Sequence, residues 1–101
     1  GAIPMSYVRV LVFENPQSWA EGMKRFRKAT RPALNAAKKA GLLSGYSVVQ
    51  TGDHAGMLIT EFDTKAKMNK YVKAMAGIRR ETVDETGGQG WVYSGPVKAS
   101  G

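Results

Sequence analysis

The chain contains no cysteine. Disulfides, thiolate metal sites and cysteine nucleophiles are therefore excluded. Histidine is almost as scarce. His54 is the single one, so a metal site needing two histidines from one chain is excluded, and no Ser/His/Asp arrangement is legible around it. No apolar run approaches the roughly 20 residues of a membrane span. There are no internal repeats and no low-complexity tracts. The glycine-rich stretch Gly87-Gly88-Gln89-Gly90 runs into a strand pattern, not a helix, so it lacks the context of a phosphate-cradling loop. What remains is 101 residues, 43% hydrophobic and 23% charged, which is one domain's worth. A chain of this size buries roughly two-thirds of its unfolded surface, and it is too apolar to stay disordered. These limits predict a soluble α+β domain.

Acidic residues are also in short supply. Fifteen Lys and Arg face eight Asp and Glu, a formal charge of +7. Such an excess suits nucleic acid, anionic lipid or an acidic partner, and proves none of them. The basic residues fall mainly on the predicted helices: Lys24, Arg25, Arg27, Lys28, Arg31, Lys38 and Lys39 on the first, Lys65, Lys67, Lys70 and Lys73 on the second. Most avoid the apolar stripes, as a solvated helix face does.

Gly1-Ala2-Ile3-Pro4 ahead of Met5 reads as a remnant of tag cleavage. The single domain is expected over residues 5–98, with residues 99–101 as a tail. No signal-peptide pattern follows Met5, which points to the cytoplasm.

Tyr7 to Phe13 is rich in β-branched and aromatic residues and reads as a strand. Val8, Val10 and Val12 share one face; Tyr7, Arg9, Leu11 and Phe13 share the other. Both faces are largely apolar, as in a strand covered on both sides. Asn15-Pro16 predicts a helix start, with Asn15 as N-cap. Trp19, Met23, Phe26, Ala33, Leu34, Ala37 and Ala40 then recur at helical spacing. Pro32 interrupts this stripe and predicts two segments, one to about Ala29 and one from about Arg31 to Ala40. Gly41 ends the helix. Gly45–Thr51 and Met57–Phe62 read as a hairpin around the turn Gly52–Gly56. Asp63 and Thr64 cap a second helix with the stripe Met68, Tyr71, Val72, Met75 and Ile78. Glu81 to Gly90 is polar and reads as a loop with room for one helical turn, and Trp91–Val97 as a last strand.

The order βαββαβ is the ferredoxin-like arrangement, one antiparallel sheet with both helices on one face. A second cover is then needed for the other apolar face, and the simplest is a second copy of the same sheet.

The element order, the long first helix and the phrase Gly45-Tyr46…Gly52-Asp53…Gly56-Met57-Leu58-Ile59-Thr60-Glu61-Phe62-Asp63 ahead of a helix together resemble the dimeric α/β-barrel, ferredoxin-like superfamily. That group includes antibiotic-biosynthesis-type monooxygenases, haem-degrading oxygenases and stress-response barrel proteins. The resemblance spans nearly all of Met5–Lys98. It implies a homodimer through the sheet face and a cavity between sheet and helices, lined by aromatics. It implies a substrate that supplies its own reactive carbanion, so that no cofactor is needed. Haem is not implied, because the helical histidine of the haem-degrading branch has no counterpart here. The fold order also matches RNA-recognition modules, but their basic-Gly-aromatic signature is missing from the third strand, which disfavours nucleic acid.

Candidate site residues follow. His54 is a candidate general base, or a solvated residue of the hairpin tip. Arg9 and Glu61 are charges predicted in mid-strand on the two central strands. They suit either a pocket-lining pair for an acidic or carbonyl-bearing ligand, or an ion pair at a dimer seam. A bend at Pro32 would open space under the helix, with Trp19, Phe26 and Leu34 as its wall. Tyr71, Trp91 and Tyr93 complete the aromatic candidates for ligand binding, against the alternative that all these rings are core and interface filler. Asn15 suits a substrate contact or simply its cap.

Overall fold

A computed structural model describes residues 6–101, and the side chains of all of them but 85 and 86. The proposed remnant and start, residues 1–5, lie outside the described residues. Strand β1 (Tyr7–Glu14) leads to helix α1 (Trp19–Arg25), a π-helical turn (Phe26–Thr30) and helix α2 (Arg31–Lys39). Strands β2 (Gly45–Gly52) and β3 (Ala55–Phe62), helix α3 (Lys65–Thr86) and strand β4 (Gln89–Pro96) follow. The sheet is antiparallel with the order β2-β3-β1-β4. This is the ferredoxin-like arrangement that the element order predicted.

The register assigns the two faces. Arg9 pairs with Thr60 and Ser94, and Leu11 with Leu58 and Val92. Strand alternation puts these residues, with Phe13, Tyr46, Val48 and Phe62, beneath the helices. The core lies there, at the end of the sheet where β3 finishes. Leu34, Leu43, Phe62, Met68, Tyr71 and Met75 are buried together, and the Phe62 and Tyr71 rings meet at 5.1 Å. The opposite face carries Val8, Val10, Val12, Val49, Met57, Ile59, Trp91 and Tyr93 and has no helix over it. Trp91 is 46% exposed and Tyr93 65%. The two-sided apolar pattern of β1 thus corresponds to a helix-covered face and an open one.

Three local expectations are corrected. Asn15 does not cap the helix. Its Oδ1 accepts from the Gln17 backbone N–H at 3.0 Å, an Asx turn, and the helix starts at Trp19 behind Ser18, whose Oγ accepts from the Glu21 N–H at 3.3 Å. The Ser-x-x-Glu spacing was the better start signal. The hairpin turn is only Asp53-His54, since Gly52 already pairs with Ala55. Residues 81–84 are not loop: α3 runs on to Thr86 and ends at Gly87, whose φ of +67° makes it the left-handed C-terminal cap. Its polar last turns cover a cavity instead of a close-packed core, so no apolar stripe marks them.

Pro32 does open the second segment, α2. The two segments are joined, however, by a π turn in which the Arg31 N–H reaches the Phe26 carbonyl. Proline lacks an N–H and its ring crowds the carbonyl four residues back, here that of Lys28. Widening the helix by about one residue per turn relieves that crowding.

Candidate functional site

Beyond the core, where α1 and the C-terminal half of α3 cross β1, the layers part around a cavity of about 270 Å³. Leu11, Phe13, Val48 and Leu58 form its floor on the sheet. Trp19, Met23, Phe26 and Thr30 face it from the first helical region, and Tyr71, Met75, Ile78 and Arg79 from α3. The π turn contributes both Phe26 and Thr30, so the segment that Pro32 distorts is part of the wall.

Trp19 is fixed from three sides. Its Nε1–H donates to the Gly52 carbonyl at 2.7 Å, its ring leans on Phe13 at 6.0 Å, and it lies flush on Gly56. A Cβ at Gly56 would stand 2.7 Å from the indole and 2.8 Å from the Phe13 ring. Glycine is required there by close approach, not by its backbone angles. Gly56→Ala is expected to cost about 1–3 kcal/mol through overpacking and to push the indole into the cavity. Chemical denaturation with tryptophan emission checks this. A variant of unchanged stability and unshifted emission would show that the indole does not rest on Gly56.

The cavity has two polar ends. At the rim, the Asn15 N–H donates to the His54 carbonyl at 2.9 Å, and His54 Nδ1 lies 2.9 Å from the Gln17 carbonyl. A carbonyl only accepts, so in neutral His54 the proton sits on Nδ1 and Nε2 carries the free lone pair. Nε2 can therefore accept a proton from a bound molecule. The inner end holds Arg9, 4% exposed, and the Tyr71 hydroxyl, on a side chain 2% exposed. Burial lowers the pKa of Arg9 from its ordinary value; the nearby Arg79 charge lowers it further, and Tyr71 opposes the shift. Arginine stays charged all the same, since its ordinary pKa lies so far above neutrality. Burial raises the pKa of Tyr71, against the pull of Arg9 and Arg79, so at neutral pH the phenol keeps its proton and can donate it. Between the ends, Arg25 Nη2 donates to Thr82 Oγ1 at 3.4 Å, and Thr82 passes a hydrogen bond to the Ile78 carbonyl at 2.8 Å. Among the described residues, no group of three His, Asp or Glu side chains could hold a metal ion.

The structure brings together Trp19, Phe26, Tyr71, Arg9 and His54 of the sequence candidates. It separates four others. Leu34 is fully buried in the core and does not wall the cavity, because α2 lies past the π turn over the closed end. Trp91 and Tyr93 pair with Val12 and Val10 and lie on the open face. Glu61 pairs with Val8, one step out of phase with Arg9. Arg9 and Glu61 thus point to opposite sides of the sheet, and neither a pocket-lining pair nor an ion pair within the chain can form. Arg79, Arg25 and Phe13 went unremarked as site residues. Arg79 follows Tyr71 and Met75 at a spacing of four, so the helical period that marked those two also reaches it.

No protein-family profile matches the chain, and no curated protein matches it. Solved structures do. A dimeric ferredoxin-like protein from an uncultured marine organism superposes with a TM-score of 0.77 at 14% identity, over 94% of this chain and 96% of that one. The NE2512 protein of unknown function from Nitrosomonas europaea gives 0.73 at 14% identity, over 98% and 96%. SnoaB, a cofactor-independent oxygenase from Streptomyces nogalater, gives 0.72 at 8% identity, over 95% and 96%. At these identities the likeness establishes the ferredoxin-like fold and nothing of the chemistry.

Proposed function

We propose that the protein is a homodimer that binds a small, mainly apolar organic molecule in the cavity between its sheet and helices. The observation that carries this reading is the void itself. Protein interiors close to crystal-like density and leave few spaces larger than a water, yet here about 270 Å³ stands open between rings. An apolar cavity of roughly 150 Å³ takes one benzene, so this one suits a bicyclic body. Its lining combines apolar rings with a few convergent polar groups, the composition of a ligand site.

Dimerisation is supported by the open apolar face of the sheet and by the dimeric state of a structural neighbour. The fold likeness to an oxygenase that works without a cofactor supports one chemistry in particular. In it a bound C–H acid gives up a proton and meets oxygen as a carbanion. His54 Nε2, at the cavity rim, is the group of this chain placed to take that proton.

Calorimetric titration with 2-naphthalenemethanol tests the site. Saturable binding at one molecule per chain, weakened about tenfold or more in Gly56→Ala, is the expected result. No saturable binding of this or any other bicyclic, neutral or charged, would overturn the reading and leave a non-catalytic structural dimer.

A further inference from the structure

We propose that the cavity takes an organic anion, a carboxylate on a flat apolar body, and that Arg9, Arg79 and the Tyr71 hydroxyl form its receptor. The inference rests on the reading of the cavity as a ligand site and adds the chemical class of the ligand.

Among the described residues, the inner end of the cavity carries positive charge without an answering acid. Arg9 is 96% buried by its exposure of 4%. Among the described residues, its guanidinium has neither a hydrogen-bond nor an ion-pair partner; the contact at Arg9 is made by its backbone carbonyl, which accepts from Thr60 Oγ1 at 3.1 Å. A buried charge is costly unless it is paired. Glu61 cannot pair with it, being on the other face of the sheet. Glu14 is the one acid among the described cavity residues. It stands at the exposed rim, five residues further along β1, about 16 Å away at the rise of a strand. A second cation, Arg79, faces the same end and acts electrostatically on Arg9. Tyr71 interacts electrostatically with both, its hydroxyl making no hydrogen bond among the described residues.

Among the described residues, two guanidinium groups and a phenol therefore present donors, and no carboxylate, to one end of an apolar cavity. A carboxylate satisfies that set. It accepts two parallel N–H bonds from a guanidinium fork and has lone pairs left for a hydroxyl and a second cation. The rest of the ligand meets Leu11, Phe13, Trp19 and Phe26, so its body is flat and apolar.

The test compares two probes of matched shape, 2-naphthoate and 2-naphthalenemethanol, by calorimetry on the full chain. The expected result is binding of the anion about tenfold tighter or more. Arg9→Met should abolish that preference, hold the alcohol's affinity within about twofold, and raise the melting temperature of the free protein, because an unpaired buried charge is gone. Arg79→Gln, at an exposed position where folding is not at stake, should lose part of the preference. Equal affinity for the two probes would overturn the anion receptor and leave the cavity reading intact. Binding of neither would bring down both. A preference that survives both substitutions, or a fall in melting temperature in Arg9→Met, would show that Arg9 is already paired within the fold and is not the receptor.

Discussion

Phe62→Ala is expected to lower the free energy of unfolding by about 3–5 kcal/mol. Phe62 is fully buried on the helix side of β3, and its ring packs on Tyr71 at 5.1 Å and a 56° tilt. Removing it deletes the ring-on-ring contact between β3 and α3. It also leaves a hole that Leu34, Met68 and Met75, held by their own helices, can fill only in part. Small domains hold about 5–15 kcal/mol in total, so the loss is a large share of it. For a domain of this length the melting temperature falls by about 4–8 °C per kcal/mol. Guanidinium unfolding at one fixed protein concentration measures the change, since the midpoint of a dimer depends on concentration. A loss under about 1 kcal/mol would mean that the core is centred elsewhere.

Val10→Asp is the expected dimer-breaker. Val10 sits at the middle of the open face, flanked by Ile59 on β3 and Tyr93 on β4. In an isologous interface one substitution acts twice, so two carboxylates would be buried near each other, at a cost of several kcal/mol. Light scattering at micromolar concentration should report twice the 10.9 kDa chain mass for the parent protein and the single mass for the variant. The variant should stay folded, because Val10 touches solvent and not the helices once the partner is gone. A parent protein that is monomeric at that concentration would sink the dimer, and a variant that remains dimeric would place the interface on another surface.

The alternation Val8-Val10-Val12 against Arg9-Leu11-Phe13 showed that β1 has two apolar faces before any contact was known, because side chains alternate strictly along a strand. The stripe Met68, Tyr71, Met75 placed one side of α3 on the core for the same kind of reason, a fixed period. Pro32 announced a disturbed helix, since a missing N–H cannot be regained by packing. Where two signals of similar strength competed, the weaker-looking one prevailed. Asn15-Pro16 made a turn, while Ser18 and Glu21 made the helix start. The polar run from Glu81 onward hid the last six residues of α3, because periodicity detects a helix only where its buried side is apolar.

The site was legible by residue type and not by arrangement. Trp19, Phe26, Tyr71, Arg9 and His54 were candidates on their chemistry, and they do converge. Glu61 seemed the natural partner for Arg9 on the same grounds, yet a single step of register sends it to the opposite face. Which residues of β3 and β4 stand beside Arg9 depends on how the strands align, and alignment is a property of the closed sheet. His54 reaches the cavity rim only because the hairpin turn folds onto the β1–α1 connection, some forty residues earlier in the chain, at Asn15 and Gln17.

Local order in this protein therefore came from the sequence by itself: the strands, the helical stripes, the break at Pro32, the two-sided sheet and the ferredoxin-like order of elements all follow from short-range periodicity and backbone chemistry. Tertiary structure alone decided that the helices close over one end of the sheet and stand away from the other, that the π turn lends its residues to the gap, and that Arg9 and Arg79 face it with no acid between them among the described residues. The physical reason is range. Propensity and spacing act over a few residues, whereas a cavity and its charge are set by the strand register and by how far the layers can approach before Trp19 meets Gly56.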